Sequence, residues 1–118
     1  WLAPGEWAVI GAPVEALRSE VEAVCAGCIH HVADMTDAWA RWRLRGAAAA
    51  ELLARGCSLD LDANKFAASQ CARTLLGQVN ILLIRQDDGW DLFGERALST
   101  HVWAWFARAG ATFELQER

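Results

Sequence analysis

The chain holds few side chains able to do chemistry, and the densest group is Cys25-Ala26-Gly27-Cys28, followed by His30 and His31. A CxxC taken alone suggests a redox dithiol or half of a zinc site. Its position argues against both. A reactive CxxC sets its nucleophile at a helix N-terminus, where the dipole stabilises thiolate, whereas Cys25 falls where a helix is predicted to end. A closed zinc site needs a second pair, yet Cys57 and Cys71 are well separated and fall in an inward-facing pattern. The four cysteines are therefore read as structural thiols, of the kind commonly buried. His30 and His31 are neighbours on an extended stretch and point to opposite faces, so at most one of them can face a given site.

His101 stands near Glu95 and Ser99, but no matched base, nucleophile and orienter converge, and an exposed helical histidine is the reading. There is no GxGxxG, GxxxxGK[ST] or GxSxG stretch, so nucleotide cradling and serine hydrolysis lack support. Arg41, Arg43 and Arg45, interleaved with Trp42 and Leu44 after Trp39, make a basic and aromatic strip. Such a strip can stack on a single-stranded nucleic acid or hold a phosphate-bearing cofactor. A net charge of −4 weighs against nucleic acid, and a solvated or partner-facing edge is the preferred reading. Thr36-Asp37 before Trp39 is explained by turn chemistry.

The elements that would position these groups follow from periodicity. Residues 6–11 read as a first strand, and Pro13 opens a helix where its missing N–H does no harm. Val14, Leu17, Val21 and Val24 share one face of that helix, which ends at Gly27. Residues 28–34 read as a second strand and residues 39–45 as a third. A second helix over residues 46–55 turns Leu52 and Leu53 inward, and Gly56 stops it in a left-handed conformation, with Arg55 complementing the dipole. Cys57, Leu59 and Leu61 then alternate with Ser58, Asp60 and Asp62. Phe66 is expected to pin the polar crossover that follows to the core. Asp60 and Arg73 interrupt apolar segments flanking that crossover and are expected to pair. Residues 71–76 and 80–85 predict a hairpin around Gly77-Gln78, and Asp88-Gly89 closes a second hairpin onto residues 90–93. Residues 81–84 are apolar on both faces and predict a central strand. Leu98, Val102, Trp105 and Phe106 share one face of a last helix, from which Trp103 is rotated about 140° relative to Leu98.

At 118 residues one domain is expected, in an α+β fold. Residues 1–61 would form a ferredoxin-like split β-α-β unit, and residues 62–118 a small antiparallel sheet covered by the C-terminal helix. The hydrophobic share is 54%, with seven Trp and no Tyr, which leaves apolar surface over and points to a permanent partner, or to a homodimer of the isolated chain. Trp103 is the foremost candidate for that surface, with Trp39 and Trp42 beside Arg41, Arg43 and Arg45. No apolar run approaches the ~18 residues of a membrane span and no signal peptide opens the chain, so a cytoplasmic location is expected.

Four patches carry a family resemblance. Gly56-Cys57-Ser58-Leu59-Asp60-Leu61, then Phe66, then Cys71-Ala72-Arg73-Thr74 before an apolar hairpin, form the first. Residues 1–7 (WLAPGEW), 32–37 (VADMTD) and 96–106 supply the others. Together, over nearly the whole chain, they resemble the gamma subunit of heterotetrameric sarcosine oxidase, a relative of the folate-binding T-protein domain of the glycine cleavage system. The resemblance implies a T-protein-like fold and an N-terminal portion ahead of Trp1. It also implies a complex with alpha-, beta- and delta-type subunits that oxidatively demethylates sarcosine with oxygen to glycine, formaldehyde and peroxide. FAD, FMN, NAD and tetrahydrofolate belong, by this resemblance, to the complex and not to this chain, which would be non-catalytic, with no catalytic, cofactor or metal residues. In the T-protein fold an Asp of the N-terminal half acts on the pterin, but the resemblance does not carry that role to Asp34 or Asp37. A stand-alone binder of a folate or other small ligand is the alternative.

Overall fold

Four short stretches pair into one antiparallel sheet in the computed structural model of the chain, which describes residues 1–113. The strands are β1 (Trp39–Arg45), β2 (Cys71–Leu76), β3 (Val79–Gln86) and β4 (Gly89–Glu95), in the order β1-β4-β3-β2. The helices are α1 (Val14–Val24), α2 (Ala49–Ala54) and α3 (Ser99–Ala109), the last preceded by a single 3-10 turn over Arg96–Leu98. The fold is α+β, a small antiparallel sheet with helices.

Turn chemistry sets the register. Gly77 and Gln78 both have positive φ, 55° and 72°, as the two central residues of a type I′ hairpin require, and Leu76 faces Val79 across the turn. The second hairpin turns on Asp87-Asp88, one residue earlier than Asp88-Gly89, because Gln86 pairs with Gly89. Gly89 is already in β4, packed so close to the Leu44 carbonyl that a Cβ would collide with it. The apolar run over residues 81–84 lies in a central strand, with Ile81, Leu82 and Leu83 all buried.

The core lies on one face of this sheet. Leu76, Ile81, Leu83, Trp90 and Leu92 meet Leu52 and Leu53 of α2, Val102 and Phe106 of α3, and Cys57, Leu61 and Phe66 of the crossover. Phe66 rests on Trp90, their ring centroids 5.4 Å apart. Alternation persists through the segment after α2, with Cys57 and Leu61 buried and Ser58 and Asp60 exposed, although that segment joins no sheet.

Several expectations are corrected. Residues 6–11 and 28–34 are not strands, because no ladder partner stands beside them; near the first, the only pairing among the described residues is an isolated Ala3–Glu6 bridge. It closes a tight turn with Pro4 and a positive-φ Gly5 inside it. Residues 39–45, assigned from sequence to the first half, pair with β4, so the sheet draws strands from both halves. The compact units run Trp1–Asp37 and Ala38–Arg118. Gly56 does not take a left-handed conformation. It is glycine because the Trp105 indole occupies the place of a Cβ. Arg55 caps α3, donating from Nη1 to the Ala109 carbonyl at 2.7 Å, with its guanidinium 4.4 Å from the Phe113 ring centroid.

Candidate functional site

The one buried charge among the described residues is Asp91 of β4. Its side chain leaves the core face occupied by Trp90 and Leu92 and emerges on the opposite face, because successive strand residues alternate. There it sits directly across from Arg43 on β1 and Ile84 on β3. Arg41 Nη2 donates to Asp91 Oδ2 at 2.7 Å, and Gln86 Nε2 donates to the same oxygen at 3.0 Å. Oδ1 faces Arg43 Nε at 3.4 Å and Arg45 Nη1 at 3.9 Å, without a well-formed hydrogen bond. Asp88, in the β3–β4 turn, holds Arg45 Nε at 2.7 Å. The strip of alternating arginines is thus organised by a carboxylate that is 3% exposed. A carboxylate this deep without opposite charge beside it would be expensive, and the arginines supply that charge.

Arg41 also lies over the Phe93 ring, 5.5 Å from its centroid, and Trp39 leans on the same ring at 6.3 Å. Along this face the two rows across the sheet read Arg41, Phe93, Leu82, Arg73 and Arg43, Asp91, Ile84, Cys71. Asp91 was absent from the sequence reading, although a lone acid inside the apolar run of residues 90–93 was a usable signal once three arginines needed a counter-charge.

The remaining candidates are dispersed. Trp42 faces the core side, half-buried against the core cluster, so it is unavailable to the surface that carries Trp39 and the arginines. Trp103 is 46% exposed on α3, touching Phe106 edge-on at 6.4 Å. Asp60 and Arg73 form no ion pair. The Asp60 carboxylate accepts the Asp62 amide at 3.1 Å, closing its own turn, while Arg73 stands exposed on edge strand β2. His101 approaches the Gly77 carbonyl at 3.4 Å, and neither Glu95 nor Ser99 joins it.

In the N-terminal unit, Cys25 and Cys28 are free thiols in a tight turn after α1, with Gly27 at φ 88° and the Cys28 amide donating to the Cys25 carbonyl at 3.0 Å. No group of three or more metal-ligating side chains converges among the described residues. Asp34 accepts the Thr36 amide at 2.9 Å, and hydrogen bonds from the Thr36 side chain and amide hold its carboxyl below its ordinary value of 3.8. The turn read at Thr36-Asp37 thus starts at Asp34, assigned from sequence to the end of a strand.

Two shallow depressions, of about 280 and 340 Å³, flank the start of α2. One is bordered by Arg85, Asp87 and Asp88, the other by Leu44, Leu52 and Phe113. Neither gathers an acid, a base and a nucleophile.

The family model described as "Sarcosine oxidase, gamma subunit family" matches residues 1–112. Among solved structures, the chain is similar to a chain of the heterotetrameric sarcosine oxidase from Corynebacterium sp. U-96, determined in complex with pyrrole 2-carboxylate, with a TM-score of 0.77 and 24% identity. The alignment covers 87% of this chain and 53% of that one, so this chain spans about half the length of its structural relative. No protein of curated function matches the sequence significantly. With nearly all of its length matched by that family model, the chain belongs to the sarcosine oxidase gamma subunit family.

Proposed function

We propose that this chain is a non-catalytic structural subunit of a sarcosine-oxidase-like flavoenzyme complex, in which alpha- and beta-type partners carry the oxidative demethylation of sarcosine and a delta-type chain completes the assembly. The observation that carries this reading is the family match over residues 1–112. The polar chemistry of the chain supports it, because Asp91, the one buried charge among the described residues, is engaged by arginines of β1 and has no nucleophile beside it. FAD, FMN, NAD and tetrahydrofolate belong, in this reading, to the complex and not to this chain. No helix among the described residues is long and apolar enough to cross a membrane, and we place the complex in the cytoplasm.

Co-expression with the alpha-, beta- and delta-type subunits, followed by affinity purification through this chain, tests the proposal. The expected product is a yellow hetero-oligomer that generates peroxide from sarcosine, while the chain purified alone is colourless and inactive. Saturable binding of tetrahydrofolate by the lone chain, with no co-purifying subunit, would instead establish a stand-alone T-protein-like binder.

A further inference from the structure

The sheet has two open edges, β1 and β2, and they are built differently. In an antiparallel ladder, opposed residues alternate between pairs that exchange both backbone hydrogen bonds and pairs that exchange none. The Arg96 amide donates to the Ala38 carbonyl at 2.8 Å, which extends the β1–β4 register by one step and fixes its parity. Ala40, Trp42 and Leu44 are therefore the residues bonded to β4. Arg41, Arg43 and Arg45 turn their own N–H and C=O groups to the free edge, whereas the Trp39 carbonyl is approached by Arg96 Nη2 at 3.5 Å. The residues whose side chains form the arginine strip thus also present the open backbone.

The β2 edge begins in a bulge: Arg85 donates to the Gln70 carbonyl but accepts from the Ser69 amide, and Ser69 has φ 67°. Bulges of this kind bend an edge away from further pairing. No bulge interrupts β1 over its seven residues. Like charges directly opposed across two strands repel, so Arg41, Arg43 and Arg45 disfavour a second copy of this strand. They favour an acidic one. Arg43 is 58% exposed and engages Asp91 through Nε alone, which leaves its two terminal nitrogens able to take a carboxylate bidentately. Three arginines against Asp91 and Asp88 leave the strip with one surplus positive charge.

From these observations we infer that the free edge of β1 is a docking site for an extended acidic segment of a partner polypeptide, which adds to the sheet as a fifth strand. Affinity comes from backbone bonds to Arg41 and Arg43, and selectivity from carboxylates at alternate positions facing the arginine side chains. This inference rests on the subunit reading above, with the acidic segment contributed by one of the co-assembling chains.

The test compares amide hydrogen exchange in the full chain, alone and within the complex formed with alpha-, beta- and delta-type subunits. In the free chain the amides of Arg41, Arg43 and Arg45 should exchange fast while those of Trp42 and Leu44 are protected. On assembly the three arginine amides should slow by at least about tenfold. Arg43→Gln, which removes charge without placing an acid opposite Asp91, should weaken capture of the partner by about tenfold at low salt and by less at high salt. A complex that forms with these amides still fast and with Arg43→Gln assembling like wild type would overturn the edge site and leave the subunit reading standing. Protection arising in a homodimer of this chain would also overturn it, since the acidic partner would then be superfluous. Failure of every co-expressed subunit to assemble removes both readings.

Discussion

Asp91 is the residue on which the outer face of the sheet depends. Its carboxylate is nearly sealed from solvent, but its best partner, Arg41, is 40% exposed, so the pair is solvated from one side. Removing one partner of a fully buried pair costs about 3–5 kcal/mol, and solvent access to Arg41 brings the expectation for Asp91→Ala down to about 2–3 kcal/mol. Urea denaturation of Asp91→Ala, Arg41→Ala and the double variant measures this, and the double should lose less than the sum of the two singles because the Arg41–Asp91 pair is then removed as a whole. At Asp34 the prediction concerns pH. A carboxyl held below its ordinary value contributes stability that is present above that value and lost as pH falls through the lowered one. An NMR titration should place Asp34 below 3.8, and Thr36→Val should move it upward. The turn at Thr36-Asp37 was legible because such turns are encoded within a few residues. Asp91 was not, since its meaning depends on which strand lies beside it.

At the scale of elements, the Gly77-Gln78 hairpin, the bounds of β1 and the inward pair Leu52 and Leu53 were readable because each is fixed by local turn chemistry or periodicity. The two N-terminal strands were misread for the complementary reason: an extended apolar stretch becomes a strand only if a partner ladder exists, and residues 6–11 and 28–34 have none. Gly56 shows a subtler failure. Its position after a helix predicted a left-handed cap, whereas its lack of a side chain serves a contact 49 residues away, where Trp105 lies flat over both Gly56 and Gly77. The Gly77 amide bonds to the Gly56 carbonyl at 3.1 Å beneath that indole. A methyl group at residue 56 must displace the ring, so Gly56→Ala should destabilise by about 1–3 kcal/mol, the usual cost of overpacking. In a Trp105→Ala background the same substitution should cost under about 1 kcal/mol, since the remaining neighbour is the Gly77 amide nitrogen at 3.1 Å. Thermal unfolding of the four members of this cycle reads the coupling directly. A Gly56→Ala cost unchanged by loss of the indole would mean that backbone conformation, and not the ring, selects glycine there.

For the molecule as a whole, beyond Trp1 and Trp7 of the N-terminal unit, both exposed, the aromatic surplus divides between two sides of the sheet-bearing unit. Trp39 and the arginines lie on the outer face and at the β1 edge, whereas Trp103 projects from α3, whose Val102 and Phe106 are buried in the core on the other face. Trp103 spends part of its ring on an edge contact with Phe106, and such pairs contribute about 0.5–1.5 kcal/mol. With the indole 46% exposed, Trp103→Ala should therefore lower stability by about 0.5–1 kcal/mol, a shift of a few degrees in Tm. If Trp103 anchors an interface, capture of the alpha-type subunit should weaken by about 2 kcal/mol or more, roughly thirtyfold in Kd. The gap between these two numbers separates a docking residue from one that merely covers neighbouring apolar atoms. Because Trp103 and Arg43 share no contact, their effects on capture should add if one partner touches both surfaces. Isothermal titration of wild type, Trp103→Ala, Arg43→Gln and the double variant against the alpha-type subunit measures all four affinities. Additive losses would assign both sides to one partner that wraps the domain. Loss from Arg43→Gln alone would leave the α3 face to another subunit, and equal affinity for Trp103→Ala against every subunit would reduce that indole to packing.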